Sequence, residues 1–301
     1  MMMTLLLCLI QAPSVPSAPT TTTTLTPSAL VDSEPLDFVE AMEQGWTYAA
    51  ELESAGGVER LLVTVTNPGR ARTLQLDAGL VFQGPDEFQP PVVMEDLLVD
   101  VPRGEHQIVV MHPGCGNAIL ASAEHGMAFN DGVSHISEEL GRVMDRMNDS
   151  GGALDEGLQD MVWVYTNAHG FSSVYVDDSV AGELNAILDE EVDGYEAPGY
   201  AVKYREPEEE DQGRFTGEAM EIRCELNMVL QQGEPCRVVM VQPDGERIEM
   251  MEGFALRSGP HDVTLTMAFE GYPPGAYRLR VEGMRSGLAH FEREVTLQGR
   301  T

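Results

Sequence analysis

Short runs rich in β-branched residues, each cut off by a cluster of turn residues, constrain this chain more than any other feature. Leu61-Leu-Val-Thr-Val-Thr66 is stopped by Asn67-Pro68-Gly69, and the same grammar returns in Thr73 to Leu76, Gly79 to Phe82, Val92 to Val101 and His106 to Met111. Strands so closely spaced leave no room for crossover helices, so they are expected to pair antiparallel and stack as a sandwich. The pattern resumes late in the chain in Cys236 to Val241, Arg247 to Met251, Val263 to Phe269, Tyr277 to Val281 and Phe291 to Leu297. Pro243-Asp-Gly245 and Tyr272-Pro-Pro-Gly275 supply turns there. That spacing predicts a second sandwich of immunoglobulin-like or fibronectin-like type.

Between the two β-rich stretches the period changes. Val133, Ile136, Leu140, Val143, Met144 and Met147 recur at three- and four-residue steps until Asp149-Ser-Gly-Gly152, which predicts an amphipathic helix starting near Asp131. Leu154, Leu158, Met161, Val162 and Tyr165 form the stripe of a second helix, with Trp163 on its other side, so that helix should be buried on two faces. Ser179 is the expected N-cap of a third, whose Leu184, Ile187 and Leu188 face inward and which ends by Gly194. Asp37 to Glu43 reads as one short helix. The fold class expected is therefore mainly β with a helical subdomain: an antiparallel β-sandwich plus helices, followed by an immunoglobulin-like β-sandwich.

A chain of 301 residues with 43% apolar content can fill two cores. The charged, turn-rich Glu206-Pro-Glu-Glu-Glu-Asp-Gln-Gly213 divides them, giving expected domains at 35–205 and 206–301. Met1 to Ile10 is apolar and runs into small residues up to Ala18, as in a secretory signal peptide (1–18), and a Thr/Pro-rich linker (19–34) follows. Cys8 is preceded by Leu5-Leu6-Leu7 and so lacks the small residues of a lipid-attachment site. Export is expected, to a secreted, cell-surface or periplasmic location. No later segment is apolar for long enough to form a transmembrane segment. The net charge of −32, with Lys203 the only lysine, repels polyanions and excludes nucleic acid as a partner.

Chemistry concentrates on few residues. Cys224 and Cys236 flank eleven residues, and in an oxidising compartment they are the candidate disulfide. Cys115 is left over, in the turn-prone loop His112-Pro-Gly-Cys-Gly-Asn117. A dyad of Cys115 with His169 would serve a cysteine hydrolase, but no motif orients it, and Gly170-Phe-Ser-Ser-Val174 lacks the second glycine of a nucleophile elbow. Asp189, Glu191 and Asp193 open like a calcium loop, yet Tyr200 stands where a bidentate Glu belongs, so calcium is a weak candidate and no cofactor is expected. His112, His125, His135 and His169 form no recognised zinc-ligand pair.

Leu158-Gln159-Asp-Met-Val-Trp163-Val-Tyr165-Thr166 resembles the apolar-Gln-x-x-apolar-apolar motif, followed by an aromatic residue and Thr, of the surface thioester domains of bacterial adhesins. The order of sandwich, Cys loop and Gln helix over residues 36 to 205 also resembles an uncharacterised secreted bacterial β-sandwich family. The resemblance implies that Cys115 and Gln159 join as an internal thioester, which would capture amine groups of a partner protein. The reading from the residues alone is an exported, non-enzymatic surface or matrix binding protein for an extracellular ligand. Thioester-mediated covalent attachment is the alternative, and a cysteine hydrolase the third.

Overall fold

The computed structural model describes residues 34–55 and 58–300; the expected signal peptide and all but the last residue of the Thr/Pro linker lie outside the described residues, as does Cys8. The chain forms β1 (Leu36–Asp37), α1 (Phe38–Glu43), β2 (Thr47–Ala55), β3 (Val58–Asn67), β4 (Arg72–Leu76), β5 (Leu80–Gln83), β6 (Pro91–Val92), β7 (Leu97–Val101), β8 (Gly104–Met111), β9 (Gly114–Cys115) and β10 (Gly132–His135). The helices α2 (Glu138–Asn148), α3 (Asp155–Asn167) and α4 (Ala181–Glu191) follow. Then come β11 (Tyr200–Tyr204), β12 (Ala219–Leu230), β13 (Glu234–Val241), β14 (Arg247–Leu256), β15 (Gly259–Ala268), β16 (Gly275–Gly283) and β17 (Ala289–Leu297). The fold is mainly β with a helical layer, as expected, and of the strands formed by the described residues only β1 and β4 pair parallel, besides an isolated parallel bridge between Phe88 and Ala121.

Three sheets make the first part: β2-β3-β8, β1-β4-β7 and β10-β5-β6-β9. Successive side chains of a strand point to opposite faces, and β5 shows the consequence. Leu80 and Phe82 enter the sandwich core with Phe38, Leu61, Val63 and Phe129, while Val81 turns to the other side. There Val81 and Val92 meet Leu140, Met144, Met161 and Val162 of α2 and α3. The helices thus lie on the back of the β10-β5-β6-β9 sheet, and β9 at its edge is set beside α3.

The periodic pattern of the first long helix begins too early. Gly132–His135 is a strand paired with β5, and α2 starts only at Glu138, because the Ser137 hydroxyl accepts the Leu140 N–H at 3.0 Å and fixes the N-cap there. Nor does Ser179 cap α4. Its N–H and hydroxyl both donate to Asp177 Oδ1 at 2.8 and 2.6 Å, closing a local turn, and the helix begins without a side-chain cap. The expected strand Val92 to Val101 is split into β6 and β7, which belong to different sheets.

The last part is a two-sheet sandwich, β11-β12-β15 facing β14-β13-β16-β17, around Ile222, Leu226, Met240, Tyr277, Leu279 and Val281. This is the immunoglobulin-like arrangement. Tyr277, near the start of β16, donates its hydroxyl to the Pro273 carbonyl at 2.6 Å, the corner bond characteristic of such sandwiches. Its first strand lies upstream of Glu206, since Tyr200 to Tyr204 pair with β12. Arg223 of β12 ties this sandwich to the helical layer through the Val176 carbonyl and Asp178.

The disulfide expected between Cys224 and Cys236 is not formed; both are free and fully buried. They sit on facing sheets at different heights. Cys224 lies six residues before the end of β12 and Cys236 two residues after the start of β13, so they are offset by about four residues, or about 13 Å at 3.3 Å per residue. A disulfide requires Cα atoms within about 7 Å. Alkylation of denatured protein without reductant, followed by peptide mapping, should label both cysteines; a pair labelled only after reduction would contradict this register.

Candidate functional site

Cys115 occupies the edge strand β9, which is anchored by pairing to Pro91 and Val92. The loop enters through His112 in a left-handed conformation (φ 46°) and leaves with Gly116 N–H donating to the Pro90 carbonyl at 2.9 Å. Gly116 is required by close approach to backbone, while at Gly114 a side chain would displace Met94 and press on Gln159. A Cβ on Gly114 would come within 2.2 Å of Met94 Sδ and 3.2 Å of Gln159 Oε1, and one on Gly116 within 2.8 Å of the Pro90 carbonyl oxygen.

On α3, Gln159 and Trp163 are four residues apart and therefore share a face. That face grips the Cys115 peptide. The Cys115 N–H donates to Gln159 Oε1 at 2.7 Å, and Gln159 Nε2 donates back to the Cys115 carbonyl at 2.9 Å. Trp163 Nε1 donates to the same carbonyl at 3.1 Å. One helical turn on, Asn167 Oδ1 accepts the Ala118 N–H at 2.8 Å and its Nδ2 donates to Asn117 Oδ1 at 3.0 Å, so the loop is held at two points along the helix. The Gln, the Trp and the Asn after Thr166 all act on one loop.

Cys115 is partly buried against Trp163, Ala118 and Phe215. Burial, reinforced by the negative charge of Glu59, pushes its thiol up to about 11, against a hydrogen bond with Ser122 that acts the other way. The thiol is thus neutral at physiological pH. His169 is not its partner: the ring is buried against Phe215, with centroids 4.6 Å apart, and makes no hydrogen bond to Cys115. Burial also lowers the His169 pKa. The two members of the hydrolase dyad are not joined.

Behind Gln159 opens a cavity of about 450 Å³, walled by Trp163, Tyr175, Tyr204 and Phe215 and carrying Asp160 and Lys203. Asp160 accepts the Tyr175 N–H at 3.3 Å, and burial raises its pKa to about 7. The calcium candidates fare differently. Asp189 and Glu191 lie within α4, two positions apart and so on different sides, and Glu191 is paired with Arg142 at 3.1 Å. Asp193 lies beyond the helix end, so the three do not form a loop. Sequence reasoning missed the Trp163 and Asn167 contacts and Asp160, although the four- and eight-residue steps from Gln159 to Trp163 and Asn167 carried the signal for the first two.

Among known proteins, neither a family model nor a curated sequence matches the chain.

Asp160 yields a pH test. The unfolded carboxyl titrates near 3.9, whereas the folded one holds its proton to about 7. Folding therefore takes up a proton in that window, and stability falls as pH rises through it. Asp160→Asn keeps an acceptor for Tyr175 without the charge. It should match wild type near pH 4 and exceed it at pH 8, by at most about 4 kcal/mol at 1.36 kcal/mol per pH unit. Urea unfolding of both proteins at the two pH values measures this; identical pH dependence would contradict the protonated carboxyl.

Proposed function

We propose that this chain is an exported surface protein that attaches covalently to its partner through a thioester between Cys115 and Gln159. The observation that carries the reading is the two-point grip of the Gln159 carboxamide on the Cys115 peptide, at 2.7 and 2.9 Å. It draws the electrophile of the reaction to the residue that bears the nucleophile, and loss of translational freedom is the main cost that proximity removes.

The chemistry balances within the site. Cys115 Sγ attacks Gln159 Cδ, the Sγ–Cδ bond forms, the Cδ–Nε2 bond breaks, and the thiol proton leaves with ammonia. Gln159 Oε1 gathers negative charge during attack, and the Cys115 N–H already donates to it, as an oxyanion donor must. When Nε2 departs, the Cys115 carbonyl keeps the Trp163 N–H, so no buried acceptor is orphaned. A thiol pushed up to about 11 makes the attack slow, which a reaction occurring once per molecule tolerates. The same burial slows hydrolysis of the product. A partner amine would then attack the acyl carbon, forming an amide at Gln159 and returning the Cys115 thiol, without turnover.

Intact mass spectrometry tests the reading. Freshly purified protein should be lighter than its sequence by one ammonia, Cys115→Ala and Gln159→Ala should each restore the sequence mass, and methylamine should add its own mass at Gln159. A fresh native protein at full sequence mass, inert to methylamine, would overturn it.

A further inference from the structure

On the opposite edge of the β10-β5-β6-β9 sheet from Cys115, three segments distant in sequence bring a nitrogen and two oxygen donors together. His135 Nε2, at the end of β10, lies 3.1 Å from Asp37 Oδ2 and 4.0 Å from Asp77 Oδ2. The three donors fall within 4.8 Å of one another, the one such group among the described residues. Each carboxylate has its other oxygen occupied. Asp37 Oδ1 accepts the Glu40 N–H at 2.8 Å as the cap of α1, and Asp77 Oδ1 accepts from Gln75 Nε2 at 2.5 Å. Both Oδ2 atoms are thereby turned to the imidazole, the arrangement by which supporting hydrogen bonds aim metal ligands.

We propose that Asp37, Asp77 and His135 bind a zinc ion that staples the start of α1, the end of β4 and the end of β10. One imidazole with two carboxylates is a borderline donor set that first-row divalent ions accept and that calcium, which takes oxygen alone, does not favour. Zinc bonds of about 2.0–2.2 Å place tetrahedral neighbours about 3.3–3.6 Å apart, so the separations of 3.1 and 4.0 Å need only small side-chain rotations. Neither carboxylate has an Arg or Lys partner among the described residues, so no cation on the chain competes for the position. The three side chains are about one-third exposed, which leaves an entry path and room for a water as the fourth ligand.

The test uses the full chain, stripped with EDTA and titrated with ZnCl2 by calorimetry and with CoCl2 by visible absorption. One saturable site is expected, with a rise in Tm on zinc addition. His135→Gln and Asp77→Asn should each weaken binding about tenfold or more, and Cys115→Ala should leave it unchanged. Equal binding in His135→Gln and Asp77→Asn would mean that zinc is held by the general surface charge and would overturn the site. So would a sulfur-to-cobalt charge-transfer band, or an absence of saturable binding in wild type.

Discussion

A four-stranded sheet buried on both faces is the constraint on which the first part of this molecule depends. Because β5 sends Leu80 and Phe82 one way and Val81 the other, the sandwich and the helical layer are built on opposite sides of the same strands. The candidate site follows from that arrangement. An edge strand of this sheet must lie beside whichever helix covers its back, and the edge strand here is Gly114–Cys115 beside α3. Edge strands expose unpaired peptide groups, which solvent or another chain would otherwise satisfy. At Cys115 they are taken by Gln159 and Trp163. The grip that would prepare the chemistry is also the device that closes the sheet edge.

Much of this order was legible in the sequence, for identifiable reasons. Strands such as Val58–Asn67 and Gly104–Met111 carry β-branched residues between hard stops, so pattern and turn chemistry agree. Thr47–Ala55 was missed because TYAAELESA is rich in Ala and Glu, and only its register on β3 makes it a strand. β12 was missed although its signal was present: Ile222, Cys224, Leu226, Met228 and Leu230 alternate with Glu221, Arg223, Glu225 and Asn227 over a strand of period two. Val133 and Ile136 fit a helical period by coincidence, and the cap at Ser137 set the true boundary.

The site was half legible. Gln159 and Trp163 share a helix face by spacing alone, and the sequence motif places Cys115 upstream of them. It gave no warning that the carboxamide engages the Cys115 backbone. The cysteine pair shows the limit of counting: Cys224 and Cys236 are neighbours in sequence, but a hairpin between facing sheets puts them at different heights. The Asp37, Asp77 and His135 cluster lay beyond any motif, since its members come from three separate segments joined only by the sheets.

The central claim is that the Gln159 carboxamide is committed to the Cys115 peptide by the fold itself, through backbone atoms that any residue at position 115 retains. A crystal structure of Cys115→Ala, which can form no thioester, tests this most directly. Gln159 Oε1 should remain within hydrogen-bond distance of the residue 115 nitrogen, near the 2.7 Å of the wild-type arrangement, with Trp163 Nε1 still on the residue 115 carbonyl. A Gln159 side chain turned into the cavity, with the edge peptide bonded to water, would contradict the account.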